Sequence, residues 1–146
     1  MYNECISQKK CEQEDAMGRF LNPGNEAFSE VIHSEIYVDK TPLLEYTNKV
    51  ISTTSKFICS SRPRRFGKSI TAEMLSAYYS KGCDSRALFA DYAICKASSF
   101  EKHLNQYDVI HFDVQWCMMD AGNADQVVEY INHGICLLYT SDAADE

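Results

Sequence analysis

The sequence has no apolar run approaching the roughly 20 residues that a membrane span needs, so no transmembrane helix is expected. Its start, "MYNECISQKKCEQEDAMGRF", lacks the basic residues followed by an apolar core that a secretory signal requires, which predicts a cytoplasmic protein. Seven cysteines include no C-x-x-C pair of the kind that marks zinc or thioredoxin-like sites. Their odd number and irregular spacing argue for reduced thiols rather than a disulfide framework. His33, His103, His111 and His133 lack the i, i+4 spacing of metal ligands on one helix and read as structural or surface residues. Positive charge is also short, with 14 Lys and Arg against 21 Asp and Glu and a net charge of −7. That balance argues against a general affinity for nucleic acid, which depends on a basic face.

What is present is a chain of 146 residues, 45% hydrophobic and 24% charged. This is the composition of an ordinary globular protein and near the length of one domain, roughly 100–200 residues. Against the acidic background, "RPRRFGK" places Arg62, Arg64, Arg65 and Lys68 within one short stretch. A local anion site is the simplest reason for such a contrast.

Residues 1–25 are polar, without periodicity, and end in the turn-rich "NPGN", so a flexible leader is expected, with Met17 a candidate true start. In residues 26–135, Phe28, Val31 and Ile32 fall at helical spacing and "IYVD" is a short β-prone run. Thr41 followed by Pro42 predicts a helix start, running to about Ile51, with Leu43, Tyr46 and Val50 on one face, Leu44 beside them, all turned to a core. "KFICSS" at 56–61 reads as a strand, and "KSITAEMLSAYYSKG" as a helix ending at Gly82. Short helices follow around Ser85 to Phe89 and Ser98 to Leu104, then a second strand from about Val109 to Val114. A last helix, started near Asn123, is expected to stop at Gly134. Strands alternating with helices predict an α/β fold with a parallel sheet. Residues 136–146, "CLLYTSDAADE", continue no pattern and resemble a translated sequencing adapter, so they are expected to be an artefact that cuts the natural chain short.

The order strand, basic glycine loop, helix gives Gly-Lys-Ser its meaning. In the phosphate-loop pattern G-x-x-x-x-G-K-[ST], Gly67, Lys68 and Ser69 match the last three positions, while Arg62 stands at the first glycine. Gly67 lets the backbone approach phosphate oxygens, Lys68 reaches the β and γ phosphates, and Ser69 offers its hydroxyl to Mg²⁺. The opening helix adds free N–H groups and the positive end of its dipole. Pro63 supplies no N–H and Arg62 and Arg65 carry a Cβ, departures that bidentate guanidinium contacts to phosphate offset.

The octapeptide "RPRRFGKS" at 62–69, with "NPGNEAF", "SEIYVDKT" at 34–41, "MLSAYYSKGCDSRALFA" at 74–90 and "FEKHLNQYDVI" at 100–110, resembles the bacterial and archaeal AAA-ATPase-like proteins over roughly residues 17–135. The resemblance implies a P-loop NTPase fold, here incomplete, with a parallel sheet flanked by helices. It implies ATP and Mg²⁺ as ligands, held by Arg62, Pro63, Arg64, Arg65, Phe66, Gly67, Lys68, Ser69 and Ile70, with Lys68 the catalytic cation and Ser69 on the metal. It makes Arg62 a family trait, and implies a nuclease-like C-terminal domain in full-length members, through which DNA or a protein partner would be engaged. The family's Walker B acids lie downstream of this chain. "VIHFD" imitates that segment, but Asp113 is followed by Val114 and reads better as a strand end. The chain is therefore expected to bind nucleotide weakly and not to turn it over, ATPase activity belonging to the longer parent. Tyr37, Asp39 and Lys40 are candidates for contact with the base or sugar, against the plainer reading that Asp39 or Thr41 caps the next helix. The rival function is a non-hydrolysing module whose residues 62–68 grip nucleic-acid phosphates.

Overall fold

A computed structural model describes residues 20–142, so most of the expected leader and the last residues of the expected artefact lie outside the described part. The structure is helical. The expected α/β fold with a parallel sheet does not form: the described residues contain only two isolated bridges, Leu21 with Ile110 and Ser80 with Tyr107. The two expected strands fail for different reasons. Residues 56–61 are exposed and belong to no ladder, because β preference is expressed only where a neighbour supplies hydrogen bonds and a packing face. Over residues 109–114, only Ile110 makes a bridge before the Asp113 carboxylate accepts the N–H groups of Gln115 (2.8 Å) and Trp116 (3.2 Å). Asp113 is thus a helix N-cap, not a strand end, and Val114 starts a helix.

The described residues divide into two compact units, Gly24–Val109 and a second made of residues 20–23 with 110–142. Along the first run α1 (Glu26–Ile32), α2 (Pro42–Val50), α3 (Lys68–Tyr79), α4 (Arg86–Phe89), a 3₁₀ turn (Ala93–Lys96) and α5 (Phe100–His103). Its core gathers Phe28, Leu44, Met74, Ala77, Tyr78, Phe89, Ile94 and Phe100. Met74, Ala77 and Tyr78 stand at i, i+3, i+4 on α3, and burying each large side chain contributes about 1.5–3 kcal/mol.

α2 starts at Pro42 as expected, and Leu44 is buried with Leu43 packed beside it as expected, but the inward face is otherwise shifted. Tyr46 is 51% exposed, while Leu44, Thr47 and Asn48 are buried. Polar residues can face the core because tyrosines on α3 satisfy them. Asn48 donates to the Tyr78 hydroxyl (3.0 Å) and accepts from the Tyr79 hydroxyl (2.7 Å), and Thr47 pairs with Tyr79 (2.6 Å). α3 ends at Tyr79, before Gly82, because Asn105 and Tyr107 donate their N–H groups to the carbonyls of Tyr78 (2.8 Å) and Tyr79 (2.9 Å).

The second unit contains α6 (Val114–Ala121), a 3₁₀ turn (Ala124–Gln126) and α7 (Val127–Asp142). Asn123 caps the turn by accepting from the Gln126 N–H (3.0 Å). Gly134 does not stop α7. A Cβ there would lie 3.1 Å from the Phe20 ring, so this glycine provides clearance for a buried aromatic inside a continuing helix.

Candidate functional site

The loop before α3 is built by two left-handed residues, Arg65 (φ +67°) and Gly67 (φ +69°), which turn the chain from residues 61–64 into the helix. A non-glycine residue held at positive φ costs on the order of 1 kcal/mol, and such residues concentrate at ligand-holding loops. Gly67 is the N-cap residue, and no side chain caps α3, so the first-turn N–H groups have no side-chain acceptor. They sit at the positive end of a twelve-residue helix, three turns long.

Lys68 folds back over the loop, its ammonium donating to the carbonyls of Arg62 (2.7 Å) and Pro63 (3.3 Å). That clamp closes the ends of the loop on each other. An ammonium has three donors, so one remains for an anion. Arg62, Arg64 and Arg65 are exposed and make no ion pair among the described residues. Phe66 is 60% exposed. Ser69 stands exposed on the first turn of α3, and Ile70 is half-buried. Thr71, which the sequence did not single out, donates both its N–H (3.0 Å) and its hydroxyl (2.9 Å) to the Gly67 carbonyl, locking the turn.

The Asp39 carboxylate accepts the N–H of Thr41 (2.8 Å), the N-cap residue of α2, and that of Ala93 (3.1 Å), but no side chain caps the helix itself, so the expected cap does not form. Thr41 is buried and accepts from the Ile94 N–H (3.2 Å) rather than capping its own helix. Tyr37 packs edge-on against Phe28 and Tyr92. Its hydroxyl is buried without a partner in hydrogen-bond geometry, and burial raises its pKa, offset in part by the nearby Lys40 backbone. Lys40 instead reaches the loop, 3.4 Å from the carbonyls of both Phe66 and Gly67. The separation in sequence hides this contact, and the only signal for it was the family resemblance of the segment.

No cluster of three or more His, Cys, Asp or Glu able to hold a metal occurs among the described residues. His103 is buried and pairs with the Tyr107 hydroxyl (2.5 Å), and His33 bonds the Ser29 carbonyl (2.6 Å). Cys59, Cys83 and Cys95 are free thiols. No described helix is long and apolar enough to cross a membrane.

These features define a basic glycine loop opening onto a helix. Comparison with known families gives it a context: the family model described as Predicted AAA-ATPase matches residues 23–144. The match spans most of the chain, and the chain belongs to this AAA-ATPase-like family. Searches of curated proteins and of solved structures found no match.

Proposed function

We propose that the chain binds ATP with Mg²⁺ at residues 62–70. The observation that carries this reading is the left-handed Gly67 at the head of α3, followed by Lys68 with its ammonium laid across the loop. Family membership supports it. The residues fit the ligand: first-turn N–H groups and Lys68 face a polyphosphate with positive charge, and the three arginines add bidentate donors. Mg²⁺ bound to nucleotide takes most of its oxygens from phosphates and water, so the Ser69 hydroxyl suffices as a protein ligand. When bound, Mg²⁺ neutralises phosphate charge. Asp113, the acid that the sequence placed after an apolar run, is engaged as a helix cap, so the function proposed is binding rather than hydrolysis.

Calorimetric titration of Mg²⁺-ATP into the full chain and into its Lys68→Ala variant tests this. Binding to the first that disappears in the second, and that requires Mg²⁺, is the expected result. The exposed arginines would also suit nucleic-acid phosphates. That reading requires affinity for an oligonucleotide that falls steeply with salt and with each arginine removed, while Lys68→Ala does no more than any other charge loss.

A further inference from the structure

We propose that Lys40 is a positioning residue of the phosphate loop, orienting the amides that meet the anion; this rests on the ATP reading above. The Lys40 ammonium lies 3.4 Å from the carbonyl oxygens of Phe66 and Gly67. In a trans peptide the C=O and N–H point in opposite directions, and this chain has no cis bond among its described residues. The Phe66 carbonyl shares its plane with the Gly67 N–H, and the Gly67 carbonyl shares its plane with the Lys68 N–H. A cation held on the carbonyl side of both planes therefore turns the N–H groups of Gly67 and Lys68 away from itself, towards the open side of the loop. It also draws electron density from the two carbonyls, which makes the coupled N–H groups better donors.

Three further observations fit this role. Thr71 secures the Gly67 carbonyl from the helix side with two hydrogen bonds, so Lys40 and Thr71 together hold one peptide plane. The base of the Lys40 side chain is itself fixed, because neighbouring Asp39 is tied to Thr41 and Ala93. A Cβ on Gly67 would stand 2.1 Å from the Lys40 ammonium. Glycine at 67 meets the positive φ, and a side chain there would push the mobile Lys40 ammonium off the two carbonyls.

The test is Mg²⁺-ATP affinity by calorimetry for the full chain and for Lys40→Met, Lys40→Arg and Lys68→Ala, with melting temperatures and the amide ¹H–¹⁵N shifts of Gly67 and Lys68 in each. Lys40→Met should weaken binding about tenfold, the scale of a charge-assisted hydrogen bond. It should leave the melting temperature unchanged and move the two amide shifts before any nucleotide is added. Lys40→Arg, which keeps a cationic donor, should restore most of the affinity. Wild-type affinity in Lys40→Met, with binding abolished in Lys68→Ala, would overturn the role of Lys40 and leave the nucleotide site standing. Arg as weak as Met would overturn it too, as would a Lys40→Met chain that does not fold, since a positioning residue is dispensable to the core. Absence of binding by the unaltered chain would remove both readings together.

Discussion

The two ends of α3 serve opposite purposes. Its first turn carries Lys68 and Ser69 exposed behind a left-handed glycine, without a side-chain cap and with arginines just upstream that make no ion pair among the described residues. Its last turn, from Ser76 to Tyr79, is buried, and the tyrosine hydroxyls there are bonded to α2 and to the Phe100 carbonyl. One helix thus anchors one end in a packed core where its tyrosine hydroxyls are bonded, while the first turn at its other end has no side-chain cap. On the proposed reading, binding and stability are separable along twelve residues of continuous backbone.

Substitutions at the two ends should separate accordingly. Tyr78→Ala empties a fully buried site and removes one of the hydrogen bonds of Asn48, and should cost about 3–5 kcal/mol in chemical denaturation. Lys68→Ala should shift stability by less than about 0.5 kcal/mol while abolishing Mg²⁺-ATP binding; comparable destabilisation by the two would break the comparison. Tyr79→Phe removes only a hydroxyl and should cost about 1–3 kcal/mol.

Burial pushes the Tyr79 pKa up to about 12. The folded state therefore favours neutral Tyr79. Its contribution is complete below the ordinary tyrosine value near 10 and is lost as pH rises through about 12. Denaturation midpoints across that window should fall for the wild type more than for Tyr79→Phe. His103 has the opposite sign: burial, aided by Lys102, lowers its pKa, so its contribution is present above the ordinary histidine value and fades as pH falls below it. A mildly acidic drop in melting temperature that His103→Gln reduces is expected. The smallest stability effect belongs to Arg64→Ala, under about 0.5 kcal/mol, with weaker nucleotide binding at low salt as its only sizeable consequence.

The sequence made the loop and its helix legible, because Gly-Lys-Ser before a helical pattern is a local signal and α3 follows it. It also placed α2 and the short helices near Arg86 and Phe100. What it missed depends on distant partners. Thr47 and Asn48 are buried because tyrosines some thirty residues away satisfy them, which no local pattern shows. The apolar residues 56–61 read as a strand, yet no described segment pairs with them, and a strand is a property of two segments rather than one. Gly134 carries the composition of a helix stop, but its neighbour Phe20 gives it another use. The Lys40 contact lies on the far side of α2 in sequence, beyond the reach of local pattern.

The most direct test of the account is the residue-resolved response to nucleotide: ¹H–¹⁵N spectra of the full chain during titration with Mg²⁺-ATP. Shifts are expected to concentrate at Gly67, Lys68, Ser69 and the preceding arginines, with the Tyr78 and Tyr79 amides unmoved. Saturable shifts centred elsewhere, or no shifts from a folded chain, would contradict it.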